Sequence, residues 1–361
     1  MKALSKEDDE LPLIDEDAGA QSVPRAFTPG EMVACEECVR ANAPTRMNCL
    51  YCGAALPVAD AANDLRRPTL RALEAWEQGF NVVLVPQGAV GDPGGAAGEP
   101  SVDNLSEAAA LLRLEAGQLR EMRGAGVPLP LARVASREEA SVVERRLGAL
   151  GCQVETVADE ELGVEVHAPK RIRRLEIGAD ALTGWTSAES EPERVEWADL
   201  VLLVAGRIAR KRIEVEERRG GGRRGGEAEV METREFHTDE SALDLYVAGS
   251  VVNWRIMAEN FDYSCLGAEK SLTAAENFKR LTETLRARAT AAAFDDSYRS
   301  VRAFLKFAWP LAEQTETGSL KRIRPGRYNA EAVTSVTNET QFTRYGRLLR
   351  YFQLRSTTTT I

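Results

Sequence analysis

Cys35, Cys38, Cys49 and Cys52 lie in the stretch CEECVRANAPTRMNCLYCG, a C-x2-C-x10-C-x2-C pattern. No other feature restricts the fold as strongly. Each CxxC turn can aim two sulfurs at one point, and a tetrahedral ion needs two such turns face to face. The ten intervening residues suffice for one short hairpin. Gly53 follows the second pair, where a tight turn brings backbone amides towards the thiolates. Two disulfides or a redox CxxC are the competing uses of these residues. An acidic N-terminus without the marks of a secretory leader argues against disulfides. A redox motif needs a following helix within an α/β unit, and none surrounds Cys35. The pattern predicts a structural Zn2+ on Cys35, Cys38, Cys49 and Cys52. Such a site is closed, so it contributes folding energy and no catalysis. Of the six cysteines, Cys152 and Cys265 stand alone among apolar residues and are expected in the core.

The second knuckle reads CLYCGAAL. In this it resembles the small zinc-ribbon modules of bacterial and archaeal proteins, where CxxCG precedes small and apolar residues. The ribbon is expected over 31–60. Ahead of it, residues 1–30 are acidic and poor in large apolar groups, which predicts a disordered tail.

Residues 65–165 read as an α/β unit. TLRALEAWEQ (69–78) has helical spacing, and FNVVLVP (80–86) is a short buried strand. A Gly/Pro/Ala loop covers 88–103. Two short helices follow near 105–113 and 115–124, then a strand at 128–135. A helix from 137 places Ala140, Val143, Leu147 and Leu150 on one face, opened by a capping box of Ser136 and Glu139. CQVETV (152–157) is the last strand. The β-α-α-β-α-β order, carried by EAAALLRLEAGQLREM, SREEASVVERRLGALG and CQVETV, resembles the C-terminal domain of the ribosomal stalk protein and the related Clp-protease adaptor fold. That resemblance implies binding rather than chemistry.

From 168 the pattern changes to alternation. Strands are expected at 173–177, 194–204, 212–217, 243–247, 251–257 and 261–266, followed by a helix over 274–288 with Thr273 and Glu276 as its capping box. Antiparallel strands closed by one C-terminal helix, with EWADLVLLV and the WRI…FDYS…NF ending, resemble a pleckstrin-homology-like barrel over 168–290. Residues 293–361 are expected to give a helix from Ser297 to Trp309, then a basic tail. That tail carries Lys321, Arg322, Arg324, Arg327, Arg344, Arg347, Arg350 and Arg355 against Glu331 and Glu339. Its QFTRYGRLLRYFQL segment is expected to pack on a domain with the arginines exposed. The expected fold class is thus multi-domain α+β: a zinc ribbon, a β-α-α-β-α-β domain, and a mostly antiparallel β-barrel-like domain capped by a helix.

Composition narrows the function. A net charge of −10 over 361 residues disfavours a nucleic-acid coat protein. Histidine is limited to His167 and His237, which leaves little for a histidine triad. GAVGDPGGAAG is Gly-rich but lacks the Lys-Ser/Thr ending of a phosphate loop. The acidic runs Asp159-Glu160-Glu161 and Asp295-Asp296 read as surface charge and caps. No apolar run is long enough to span a membrane, so a cytoplasmic location is expected. No catalytic constellation and no small-molecule substrate emerge. The reading is a non-enzymatic adaptor or regulator that binds other proteins. Two alternatives stay open. One is nucleic-acid binding through ribbon and tail. The other is binding of anionic lipid through a basic rim of Lys170, Arg171, Arg173 and Arg174 beside the ERRGGGRRGGE tip.

Overall fold

The computed structural model describes residues 27–29, 31–56, 68–74, 77–86, 100–163, 167–220, 229–250, 252–317, 321–324 and 327–358. The predicted acidic tail lies almost wholly outside the described residues, as does the centre of the RGG-like segment. The chain divides into two compact units, 1–66 and 67–361.

In the first unit, β1 (Val33–Ala34) and β2 (Ala41–Asn42) pair antiparallel, with Val33 opposite Asn42. This hairpin brackets the first CxxC turn, with Cys35 and Cys38 in its loop, and only β2 lies within the ten residues between the cysteine pairs.

The second unit begins with β3 (Phe80–Leu84), α1 (Val102–Leu112), α2 (Ala116–Gly124), β4 (Leu129–Val134), α3 (Arg137–Ala149) and β5 (Val154–Ala158). The predicted β-α-α-β-α-β order is observed. The sheet order is β4-β3-β5, and β3 is antiparallel to both neighbours. Ser101 caps α1 by accepting the Asn104 amide, and Ser136 caps α3 by accepting that of Glu139. The Glu139 carboxylate does not turn back to complete a capping box. It is buried and accepts from the Thr69 amide, the Thr69 hydroxyl and the Leu70 amide instead. The predicted helix over 69–78 is therefore not formed. Its described residues are irregular, with Leu70 at φ 43°, and Glu77 accepts from the Arg71 guanidinium and the Glu74 amide. The left-handed Leu70 and the Glu74 amide bound to the Glu77 carboxylate are incompatible with a continuous helix there.

A four-residue helix, α4 (Asp159–Leu162), follows β5. Asp159 corrects the expectation of surface charge: it is 4% exposed. Its Oδ2 accepts from the Gly79 amide at 2.9 Å and Arg133 Nε at 2.8 Å, and its Oδ1 from Asn81 at 2.9 Å. Trp309 Nε1 donates in turn to Asn81 at 2.8 Å. A buried carboxylate is tolerated here because each lone-pair direction meets a donor.

Next come β6 (Lys170–Ile172), β7 (Arg174–Ile177), β8 (Ala181–Trp185), β9 (Glu193–Glu196), β10 (Leu200–Gly220), β11 (Glu229–Val247) and β12 (Trp254–Met257). They are followed by α5 (Ala274–Arg288), β13 (Ala293–Asp295), α6 (Tyr298–Leu305), β14 (Ala312–Thr317), β15 (Lys321–Arg324), β16 (Arg327–Thr337) and α7 (Glu339–Thr358). No sheet among the described residues closes into a barrel. β7-β8-β9 form a separate three-stranded sheet, and the large sheet is open, in the order β14-β16-β10-β11-β12-β6. The predicted strand at 261–266 is instead 3₁₀-helical from Tyr263, because Asp262 caps that turn by accepting the Ser264 amide.

The predicted strands at 194–204 and 212–217 turn out to be β9 and the two ends of β10, a single 21-residue strand. Its interior, AGRIARK, breaks alternation at Gly206. The glycine is needed there because a side chain would overlap Phe342 and Tyr298. Both faces of β10 are buried near its start. Leu202 and Val204 pack with Tyr298, Phe342 and Tyr345, whereas Leu200 and Leu203 pack with Leu243, Leu245, Leu281 and Leu285. Period-2 alternation sends Leu203 to the face opposite Leu202 and Val204, and the irregular register between Leu200 and Leu202 puts Leu200 on the side of Leu203, so a strand covered on both sides reads as continuously apolar.

The region after 310 departs most from expectation. Instead of a basic tail, β16 runs antiparallel to the far half of β10, from Arg210 opposite Thr337 to Gly220 opposite Arg327. Helix α7 is buried on most sides, and Arg344 and Arg347 are 5% and 4% exposed, not solvated. Arg344 reaches Asp159 at 3.5 Å, while Arg347 donates to the carbonyls of Leu162, Gly163 and His167. One apolar cluster thus extends from Val82 of β3 to Phe352 of α7.

Candidate metal centre

The two CxxC turns are built alike. In the first, the Cys35 amide donates to the Arg40 carbonyl at 3.0 Å and the Val39 amide to the Cys35 carbonyl at 2.8 Å. In the second, the Cys49 amide donates to the Ala54 carbonyl at 2.7 Å and the Gly53 amide to the Cys49 carbonyl at 3.0 Å. Each cysteine pair is therefore held on a closed backbone loop with its amides turned inward. The loop needs a left-handed residue directly after the second cysteine. Gly53 supplies it at φ 78°, as the sequence suggests, but the first turn puts Val39 there at φ 60°. A β-branched residue in that region is strained.

The four sulfurs lie within 4.8 Å of one another, with Cys35–Cys52 and Cys38–Cys49 each at 3.5 Å. A tetrahedral ion with metal–sulfur bonds of about 2.3 Å sets its sulfurs roughly 3.8 Å apart. All four predicted ligands are brought together. Among the described residues no other cluster of histidine, cysteine and carboxylate groups has this spacing.

Asn42, which the sequence does not single out, ties the halves together. Its amide nitrogen donates to the Arg40 carbonyl at 2.8 Å and to Cys49 Sγ at 3.4 Å, and its oxygen accepts the Leu50 amide at 2.8 Å. It is 2% exposed. A lone asparagine between small residues gives no sequence signal; only the pairing of β1 with β2 carries it to the sulfurs.

Electrostatics separate the thiols. Burial opposes ionisation of Cys49, yet the amides of Tyr51 and Cys52 and the Asn42 side chain outweigh it and bring that thiol down to about 6. At Cys52 the Ala54 amide favours the thiolate, but desolvation and the neighbouring sulfurs push the thiol up to about 12. A thiolate at Cys49 opposes ionisation of Cys38 and Cys52. A cation is what allows all four to ionise, and the donor set fits a soft tetrahedral divalent ion.

Outside the sulfur cluster the two loops expose apolar residues: Val39 is 79%, Leu50 61% and Tyr51 53% accessible. The Arg40 guanidinium sits over the Tyr51 ring, 4.7 Å from its centre.

The remaining candidates separate. Cys152 is buried and Cys265 half-buried. His237 lies 3.1 Å from Glu235, while Asp239 pairs with Arg207. Lys170 pairs with Glu193, Arg171 with Glu339, and Arg174 stacks on Trp185. No described helix is long and apolar enough to cross a membrane. No family model, curated protein or solved structure matches the chain, so the resemblances read over 65–165 and 168–290 have no match behind them.

Proposed function

We propose that this chain is a non-enzymatic adaptor that binds other proteins, with Zn2+ as the structural ion of its N-terminal ribbon. The observation that carries the reading is the exposure of Val39, Leu50 and Tyr51 on the two loops that hold the sulfurs. Four thiolates leave an ion no position for substrate, so the metal shapes a surface. Soft sulfur donors in tetrahedral array favour Zn2+ over harder ions. Exposed apolar residues gathered on one small module, one of them an aromatic stacked under an arginine, have the composition of interface anchors. Nucleic-acid and lipid binding draw less support. Arg344 and Arg347 are withdrawn from solvent, and Lys170 and Arg171 already have carboxylate partners.

The test compares the tagged full chain with a Leu50→Ser/Tyr51→Ser variant of equal metal content. Both are used to capture partners from native lysate, in nuclease-treated and untreated halves. Proteins retained after nuclease and lost with the double variant support the adaptor reading. Partners released by nuclease reassign the chain to nucleic-acid binding. Partners held equally by both proteins remove the ribbon face from the interaction.

A further inference from the structure

A cavity of about 530 Å³ opens at one end of the β4-β3-β5 sheet. Leu84 and Val85 from the end of β3, Leu105 of α1 and Met122 of α2 give it an apolar wall, and Arg120 and Arg123 of α2 line it as well. Among the described residues no acidic side chain lines it, although the chain as a whole carries a net charge of −10. Arg120 is exposed, whereas Arg123 is half-buried, part of its guanidinium being enclosed beside Cys152. The start of α1 contributes little, because Ser101 already accepts the Asn104 amide there. Two guanidiniums beside hydrocarbon, in a space of ordinary small-ligand size, select for an anion joined to an apolar body. Planar guanidinium donors match a carboxylate in particular.

We infer that this cavity binds a small carboxylate with an apolar tail, the carboxylate at Arg120 and Arg123 and the tail against Leu84, Leu105 and Met122. The site is independent of the ribbon and of the adaptor reading.

Decanoate is the probe, titrated calorimetrically into the full chain, with decan-1-ol as the uncharged comparator. Saturable one-to-one binding is expected, weakened about tenfold or more for decan-1-ol, corresponding to loss of a charge-assisted contact. Arg123→Met and Leu105→Trp are expected to weaken decanoate by a similar factor, one by removing the charge and the other by filling the space. Arg120→Glu changes an exposed position, so it keeps the test valid should either buried variant misfold. It reverses the charge at the mouth and is expected to weaken decanoate while leaving decan-1-ol unchanged. Decanoate that does not saturate, decan-1-ol that binds as well, or an affinity untouched by Arg120→Glu each overturn the assignment.

Discussion

Arg255 and Asp244 form a two-pronged ion pair in the middle of the large sheet, Nε to Oδ1 and Nη2 to Oδ2 both at 2.7 Å, with neither side chain exposed at all. They face each other across β11 and β12 in register. Asn253 adds a donor to Asp244 at 2.8 Å, and Thr343 of α7 accepts from Arg255 at 3.0 Å. Removing Asp244 takes away the two-pronged partner and leaves the buried Arg255 only Glu339, 3.2 Å from its Nη1. Asp244→Ala is expected to cost about 3–5 kcal/mol. The double change Asp244→Leu/Arg255→Met is expected to recover part of it, since no uncompensated charge is left although the Asn253 amide loses its acceptor. Denaturant unfolding of the three proteins checks this; a single variant as stable as the double would contradict it.

Gly346 tests how closely α7 lies on the sheet. In an exposed helix, alanine in place of glycine gains about 1 kcal/mol. Here a methyl group would overlap the Tyr246 hydroxyl. Overpacking of a tight contact costs roughly 1–3 kcal/mol. Gly346→Ala should therefore lower the melting temperature, and Tyr246→Phe added to it should restore part of the loss. A Gly346→Ala protein that melts higher would show that α7 is free to shift.

The ribbon yields a pair of opposite effects. Cys38→Ser removes one of four ligands and is expected to abolish metal binding and unfold residues 31–56, visible as loss of the ribbon's amide dispersion by NMR. Val39→Gly acts the other way. It relieves about 1–2 kcal/mol of left-handed strain and returns roughly 0.5–1 kcal/mol as unfolded-chain entropy. The metal should bind a few-fold more tightly in a chelator competition. Equal or weaker binding would mean that the valine is not strained.

Glu77 carries the pH prediction. Arg71 at 2.6 Å and the Glu74 amide at 2.8 Å hold its carboxyl down at about 2. The unfolded chain titrates this group near 4.3. The folded form is therefore favoured above that pH, and the advantage disappears as pH falls towards 2. Wild type and Glu77→Gln should differ in stability at neutral pH and converge in strong acid. A carboxyl resonance titrating near the ordinary value would contradict the pairing.

Legibility in the sequence followed how local the cause was. The four ligands are set by spacing within two turns, and α5 is set by its own face and by Thr273, so both lie where the sequence places them. Residues 69–74 are anchored by Glu139, far along the chain, with Leu70 left-handed, and neither is visible in the helical spacing of that segment. Asp159 and Arg344 look like surface charges one at a time; burial arises only when α7 carries the arginine to the carboxylate. β16 shows a run of β-branched residues at most, and its partner, the far half of β10, is hidden by the break at Gly206.

The double covering of β10 has a consequence for how the protein is made. At roughly 5–20 residues per second the ribosome releases β10 and β11 many seconds before α7. Until then the face bearing Leu202, Val204 and Tyr246 lacks the part of its cover that α7 supplies, and nascent chains are exposed to mispairing and chaperone capture during that interval. The ribbon has no such wait. Its four ligands emerge together, so it can take up metal while the rest of the chain is still being translated.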